Sequence, residues 1–204
     1  MNTASSIALA LVIGYAFGCI PFAVITSRIF GLADPRTYGS GNPGATNVLR
    51  SGNRKAAILT LLGDALKGCV AVWVVRALGM GDTTALLAGV AAFVGHVFPA
   101  TLGFRGGKGV ATAAGVMLVA VPPAGVIALG IWVGVAAITR YSSLAALLAA
   151  CSAPITGLLY TGSAVVCGAF AAMAGLLIWR HAENIRRLMN GSESRIGRKK
   201  TAAG

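Results

Sequence analysis

The stretch "SSLAALLAACSAPITGLLYTGSAVVCGAFAAMAGLLIW", residues 142–179, holds 38 residues without a single charge. As one helix it would run about 57 Å, against a hydrocarbon core of about 30 Å. It must therefore fold back, and Thr161-Gly162-Ser163 is the break the residues offer. Four more apolar runs, 5–27, 56–78, 83–100 and 110–138, share this composition. The last of them contains Pro122-Pro123, which cannot continue a helix cleanly, so it divides as well. Of 204 residues 56% are hydrophobic and 11% charged, with a mean hydropathy of +0.80. A soluble domain averages about 25% charged residues. The expectation is an all-α integral membrane protein, a single polytopic domain over 1–204 with about seven transmembrane helices, the fourth short.

The charges orient this bundle. Seventeen Lys and Arg stand against five acidic residues. Fifteen of the seventeen fall between 28 and 55, at 105 and 108, at 140, and from 180 to 200. Seven helices place all four segments on one face, which the positive-inside rule makes cytoplasmic. The N-terminus is then expected outside and the C-terminus, with a basic tail at 194–204, inside. The excess of positive charge suits anionic headgroups or phosphorylated substrates; no aromatic-studded basic domain is present to bind nucleic acid. The first 27 residues contain no Lys or Arg, so they read as a retained helix rather than a cleaved signal peptide. Gly14 and Gly18 form a G-x-x-x-G, a helix-contact pattern in membranes. Cys69, Cys151 and Cys167 fall within apolar runs at no paired spacing and read as packing residues.

Three polar islands lie on the basic face, at 36–55, 95–112 and 180–193. The first contains "GSGNPGATNVLR", residues 39–50, with three glycines, two asparagines, one arginine and no carboxylate. Such a stretch exposes backbone N–H groups and can hold an anion. Its candidate phosphate contacts are Gly41, Asn42, Gly44, Thr46 and Asn47. The second is "GHVFPATLGFRGGKGVAT", residues 95–112. Here Gly106, Gly107 and Gly109 surround Lys108 and lead into a helix, whose N-terminus presents open N–H groups and a positive dipole end. His96 belongs to the same island and is a further candidate phosphate contact. Gly109 follows the lysine where a P-loop requires Ser or Thr, so nucleotide binding is not indicated. The third is "RHAENIRRLMNGSE", residues 180–193, read as a helix continuing out of the membrane with His181, Asn184 and Leu188 on one face. Arg180 and Arg187 are expected to meet water or headgroups.

Asp64 and Lys67 stand three residues apart within a span. Ionisable groups there are costly unless they pair or function, so they read as a structural ion pair or as support for the site. With Asp34, Asp82, Glu183 and Glu193 they complete a thin carboxylate inventory. Neither a two-carboxylate mechanism nor an oxygen-rich metal cage is expected, and no metal or cofactor is implied.

Taken together, the three islands closely resemble the signature motifs of the bacterial acyl-phosphate-dependent glycerol-3-phosphate acyltransferases, the PlsY family, in order, separation and setting among the helices. Arg105 stands where that family often has Lys. The resemblance implies transfer of a fatty acyl group from acyl phosphate to the 1-hydroxyl of sn-glycerol 3-phosphate, giving lysophosphatidic acid and phosphate. It also implies a bacterial inner-membrane enzyme with its active site on the cytoplasmic side. By the same resemblance Ser40 and Arg50 are needed for activity, and Gly106, Gly107, Lys108 and Gly109 serve glycerol 3-phosphate. His181 and Asn184 match the third motif, and a structural Glu falls on Glu193, with Glu183 the alternative.

The chemistry of the residues agrees with those roles. Two phosphate-bearing substrates are oriented by N–H groups, Arg50 and Lys108, which also stabilise the leaving phosphate. His181 is a candidate base, and a substrate phosphate oxygen is the other. A membrane transporter of a phosphorylated metabolite is the competing reading, weakened because the polar groups cluster at one face.

Overall fold

The computed structural model describes residues 2–197 and contains only helices and connecting turns among them. Arg198, Lys199 and Lys200 of the expected basic tail lie outside the described residues. The first apolar run is broken into α1 (Thr3–Gly18) and α2 (Phe22–Ile29). Pro21, which has no N–H to donate, stands at the break. The first polar island then forms a loop, a single turn α3 (Ala45–Val48) and a 3-10 turn, Leu49–Ser51. Asn53 caps α4 (Arg54–Ala77) by accepting a hydrogen bond from the Ala56 N–H at 3.0 Å.

Next come α5 (Asp82–Val97), the short α6 (Val110–Ala120) and α7 (Pro122–Thr139), which starts on the proline pair. The uncharged stretch divides at Gly162, which takes a left-handed backbone with φ +63°. It forms α8 (Ser142–Thr161) and α9 (Ala164–Arg180). The two breaks expected from glycine and proline are where the residues place them. The third island departs from expectation: α10 (Ala182–Met189) bends 60° away from α9 at His181 instead of continuing it.

Five helical stretches are long and apolar enough to cross a bilayer, α1 and α2 counting as one, and there are six if the bent pair α9 and α10 is taken as one crossing. The apolar α6 has 11 residues, about 16 Å, too short to cross alone.

In lipid the hydrophobic effect does not drive helices together, so close backbone approach has to. The sequence supplies it with small residues. A Cβ on Gly14 would lie 2.8 Å from the Ala88 carbonyl carbon, and one on Gly18 equally close to that of Ala92, so α1 lies directly on α5. Gly68 of α4 meets the Thr112 backbone, and Gly115 of α6 meets that of Ala65, locking α4 to α6. Fully buried Phe93, Phe170, Val72 and Val116 fill the centre. Outside, Trp73, Val126, Ile155 and Leu159 are exposed, as a lipid-facing surface requires.

Candidate active site

The head of the site is assembled at one end of the bundle from all three islands. The loop of the first is held by Asn47, which is buried. Its amide donates to the carbonyls of Pro35 (2.6 Å) and Tyr38 (3.2 Å), and its oxygen accepts from the Ser40 N–H (3.0 Å). The same oxygen lies 3.4 Å from an Arg50 guanidinium nitrogen. Asn47 thus shapes the loop that presents Ser40 and Arg50. Gly41 does likewise, in a left-handed turn closed onto the Tyr38 carbonyl at 2.9 Å.

The glycine-rich turn works differently from the expectation that its glycines offer free N–H groups. The Gly106 N–H donates to the Val97 carbonyl and that of Gly107 to the His96 carbonyl, both at 3.1 Å. These two glycines permit close packing: a Cβ on Gly107 would collide with the His96 ring. Gly109, at φ +86°, turns the chain into α6, whose first-turn N–H groups remain open to an anion.

Lys108 donates to the Asn184 side-chain oxygen, joining the second island to the third. The Asn184 amide donates to Glu193 Oε1 at 2.7 Å. Glu193 also accepts from Ser143 Oγ at 2.8 Å and, through Oε2, from Arg187 Nε at 2.7 Å. Burial opposes its ionisation, but those hydrogen bonds outweigh it and hold the carboxyl below the usual glutamate range. Glu183, with a side chain 82% exposed, meets only the far side of Arg187. Of the two carboxylates, Glu193 is the buried one with three polar side-chain partners.

His181 is buried, and its Nδ1–H donates to the Leu177 carbonyl at 2.8 Å, leaving Nε2 as the acceptor of the neutral ring. Burial pushes its pKa down to about 4, with the Lys108 charge assisting. Burial, with the Arg187 charge assisting, lowers Lys108 to about 8.

Arg180 and Arg187 differ from expectation. Arg180 donates to the Gly106 carbonyl at 3.1 Å and Arg187 grips Glu193, so both point inward to polar partners. Sequence reasoning also missed Ser143, Ser142 and Ser194. Ser142 Oγ pairs with Thr46 at 3.1 Å, and Ser194 accepts from Arg50 at 2.6 Å. The only signal for the two serines of α8 was their place next to Arg140 on the basic face.

These residues border a cavity of about 390 Å³. Ser40, Asn42, Gly44, Thr46, Arg50, Lys108, His181, Asn184 and Glu193 form its polar end. Beyond them it becomes an apolar slot between α6, α7, α8 and α9, walled by Met117, Trp132, Ala146, Ala150, Phe170 and Leu177 among others. Leu61 and Leu62 of α4 and Leu129 of α7 belong to its wall and are exposed on the lipid-facing surface. The slot therefore opens sideways, past the short α6. Gly41, Gly106, Gly107 and Lys67 lie outside this cavity, whereas Asp64 and His96 border it. Among the described residues no three His, Cys, Asp or Glu side chains come together as a metal site.

A polytopic helical membrane protein whose cavity runs from a polar end bearing Arg50 and Lys108 into an apolar, lipid-open slot is suited to joining a water-soluble anionic compound to a lipid. Residues 8–191 match the family described as Glycerol-3-phosphate acyltransferase. A protein named glycerol-3-phosphate acyltransferase from Aromatoleum aromaticum is 58% identical over 95% of this chain and 98% of its own length. Another of that name, from Dechloromonas aromatica, is 55% identical over 96% and 99%. The crystal structure of PlsY (YgiH), an integral membrane glycerol 3-phosphate acyltransferase, in its glycerol 3-phosphate form, superposes with a TM-score of 0.87. It shares 35% identity and covers 94% of this chain and 96% of its own. The chain belongs to the glycerol-3-phosphate acyltransferase family.

Proposed function

We propose that this enzyme transfers a fatty acyl group from acyl phosphate to the 1-hydroxyl of sn-glycerol 3-phosphate, releasing phosphate and lysophosphatidic acid. The observation that carries the reading is one cavity with Ser40, Arg50, Lys108, His181 and Asn184 at its polar end and an apolar slot behind them. Both substrates end in phosphate and one continues as an alkyl chain, so the division matches the pair.

In this mechanism the acceptor phosphate sits against Arg50, Lys108 and the open N–H groups of α6. Its hydroxyl oxygen attacks the acyl carbonyl carbon, the carbonyl C–O bond to the phosphate breaks, and the electron pair leaves on phosphate. Lys108 and Arg50 neutralise the charge that develops there. An imidazole with a pKa of about 4 is a weak base at neutral pH. A phosphate oxygen therefore takes the attacking hydroxyl's proton, and His181 Nε2 orients the acceptor by accepting a hydrogen bond from its other hydroxyl. Ser40 hydrogen-bonds substrate and forms no acyl-enzyme, having no base beside it to activate it. Asn184 and Glu193 fix the Lys108 ammonium. Acyl phosphate is already a mixed anhydride, so the reaction asks for no nucleotide, metal or cofactor.

We place the protein in the bacterial inner membrane with seven crossings, the short α6 among them where the bilayer thins to meet it, the N-terminus outside and the site on the cytoplasmic face. The grouping of its basic residues supports this. The deciding experiment supplies purified protein with labelled glycerol 3-phosphate and, in separate tubes without metal, palmitoyl phosphate, palmitoyl-CoA and palmitoyl carrier protein. Lysophosphatidic acid is expected from palmitoyl phosphate alone; product from a thioester alone would refute the donor.

A further inference from the structure

Beneath the glycine-rich turn lies a cluster that the mechanism does not use. Asp64 and Lys67 of α4 and His96 of α5 have side chains only 4%, 2% and 8% exposed. Lys67 Nζ is 2.9 Å from Asp64 Oδ1 and donates at 2.9 Å to the Ile20 carbonyl, in the break between α1 and α2. His96 Nδ1 lies 3.4 Å from the same Asp64 oxygen. The other edge of that imidazole fills the space beside Gly107, whose N–H donates to the His96 carbonyl. Lys108 is the next residue. A series of polar contacts thus runs from the α1–α2 break through Lys67 and Asp64 to the His96 ring, which packs against Gly107, the residue preceding the catalytic lysine.

We propose that Asp64, His96 and Lys67 are positioning residues that fix the height and orientation of the Gly106–Gly109 turn, and so the binding of the acceptor's phosphate by Lys108. Two features argue for this over a purely structural ion pair. Helix contact alone is met elsewhere in the bundle by glycine and alanine, at none of the cost of burying charge. The contacts also converge on one turn, and Gly107 is the residue whose missing side chain admits the ring. His96, expected from sequence to touch phosphate, acts on this account through Gly107. The inference rests on glycerol 3-phosphate as acceptor and is independent of the acyl donor.

The test is calorimetric binding of glycerol 3-phosphate to purified full-length protein, with no donor present, alongside thermal unfolding and the KM of each substrate. Three variants are compared with the wild type: Asp64→Asn, His96→Asn, and the doubly neutral Asp64→Asn with Lys67→Met. Misplacing a binding group by about 1 Å costs on the order of 10- to 100-fold. We expect Asp64→Asn and His96→Asn to weaken acceptor binding at least about tenfold, with the donor KM within about twofold. Removing both charges should recover the unfolding temperature that Asp64→Asn loses, but not acceptor affinity. Recovery of both together would reduce the cluster to a structural pair and overturn the proposal. So would unchanged acceptor binding in both single variants, or an equal rise in the donor KM. Failure of the wild type to use palmitoyl phosphate while still binding glycerol 3-phosphate would refute the donor and leave this inference to be read from the binding data.

Discussion

At the scale of single residues, the lysine at the head of the cavity is expected to set the alkaline limit of activity. Burial and the neighbouring Arg187 bring Lys108 to about 8, so it is charged below that pH and neutral above. In free enzyme kcat/KM for glycerol 3-phosphate is therefore expected to fall as pH rises through about 8. Lys108→Arg, which keeps its charge, should lose this limb, and an alkaline limb unchanged in that variant would place the titration elsewhere. Lys108→Met should cost about 10²-fold or more in kcat/KM at neutral pH. Glu193 and Glu183 make a sharper pair. Glu193→Ala leaves Ser143, Asn184 and Arg187 without their shared acceptor, an expected loss of about 1–3 kcal/mol in unfolding free energy together with activity. Glu183→Ala, at an exposed position, should change neither measurably. That Ser40, Arg50, Lys108, His181 and Asn184 would meet at one cavity was legible because the three motifs that resemble a known family carry them together. The part played by Gly106 and Gly107 was not, because the carbonyls that take up their N–H groups belong to α5 and meet them only in the folded chain.

At the scale of elements, breaks written in proline and glycine could be read directly: Pro122 opens α7 and Gly162 ends α8. The 60° bend at His181 had no such mark, since no proline or glycine stands there and the burial of His181 and Asn184 imposes it. Nor could the faces of the spans be assigned, because a helix apolar on every side carries no periodic signal of what it meets. The alanines of α8 show the consequence. Ala146 and Ala150, ordinary members of an apolar run, form one side of the slot. Ala150→Phe is expected to raise the KM for a long-chain acyl phosphate about tenfold or more by overfilling it. The KM for glycerol 3-phosphate should stay within about twofold; a matching rise in both would show that the slot does not hold the chain. The acyl phosphate of a two-carbon acid should be spared the penalty.

For the molecule as a whole, seven apolar segments and a few polar turns place every candidate catalytic group at one end of a bundle. That asymmetry was visible in the distribution of Lys and Arg alone. The sideways opening of the slot, between Leu61 and Leu62 of α4 and Leu129 of α7, has a kinetic meaning. A donor that enters through that wall reaches the enzyme by diffusion within the sheet of lipid, and its concentration there is a number per unit area. Adding inert lipid at a fixed total amount of donor should slow the reaction in proportion to the donor's dilution among lipids. The rate should stay constant when the same vesicles are merely suspended in more buffer containing the same glycerol 3-phosphate. Under the proposed reaction the enzyme meets glycerol 3-phosphate in three dimensions and its donor in two.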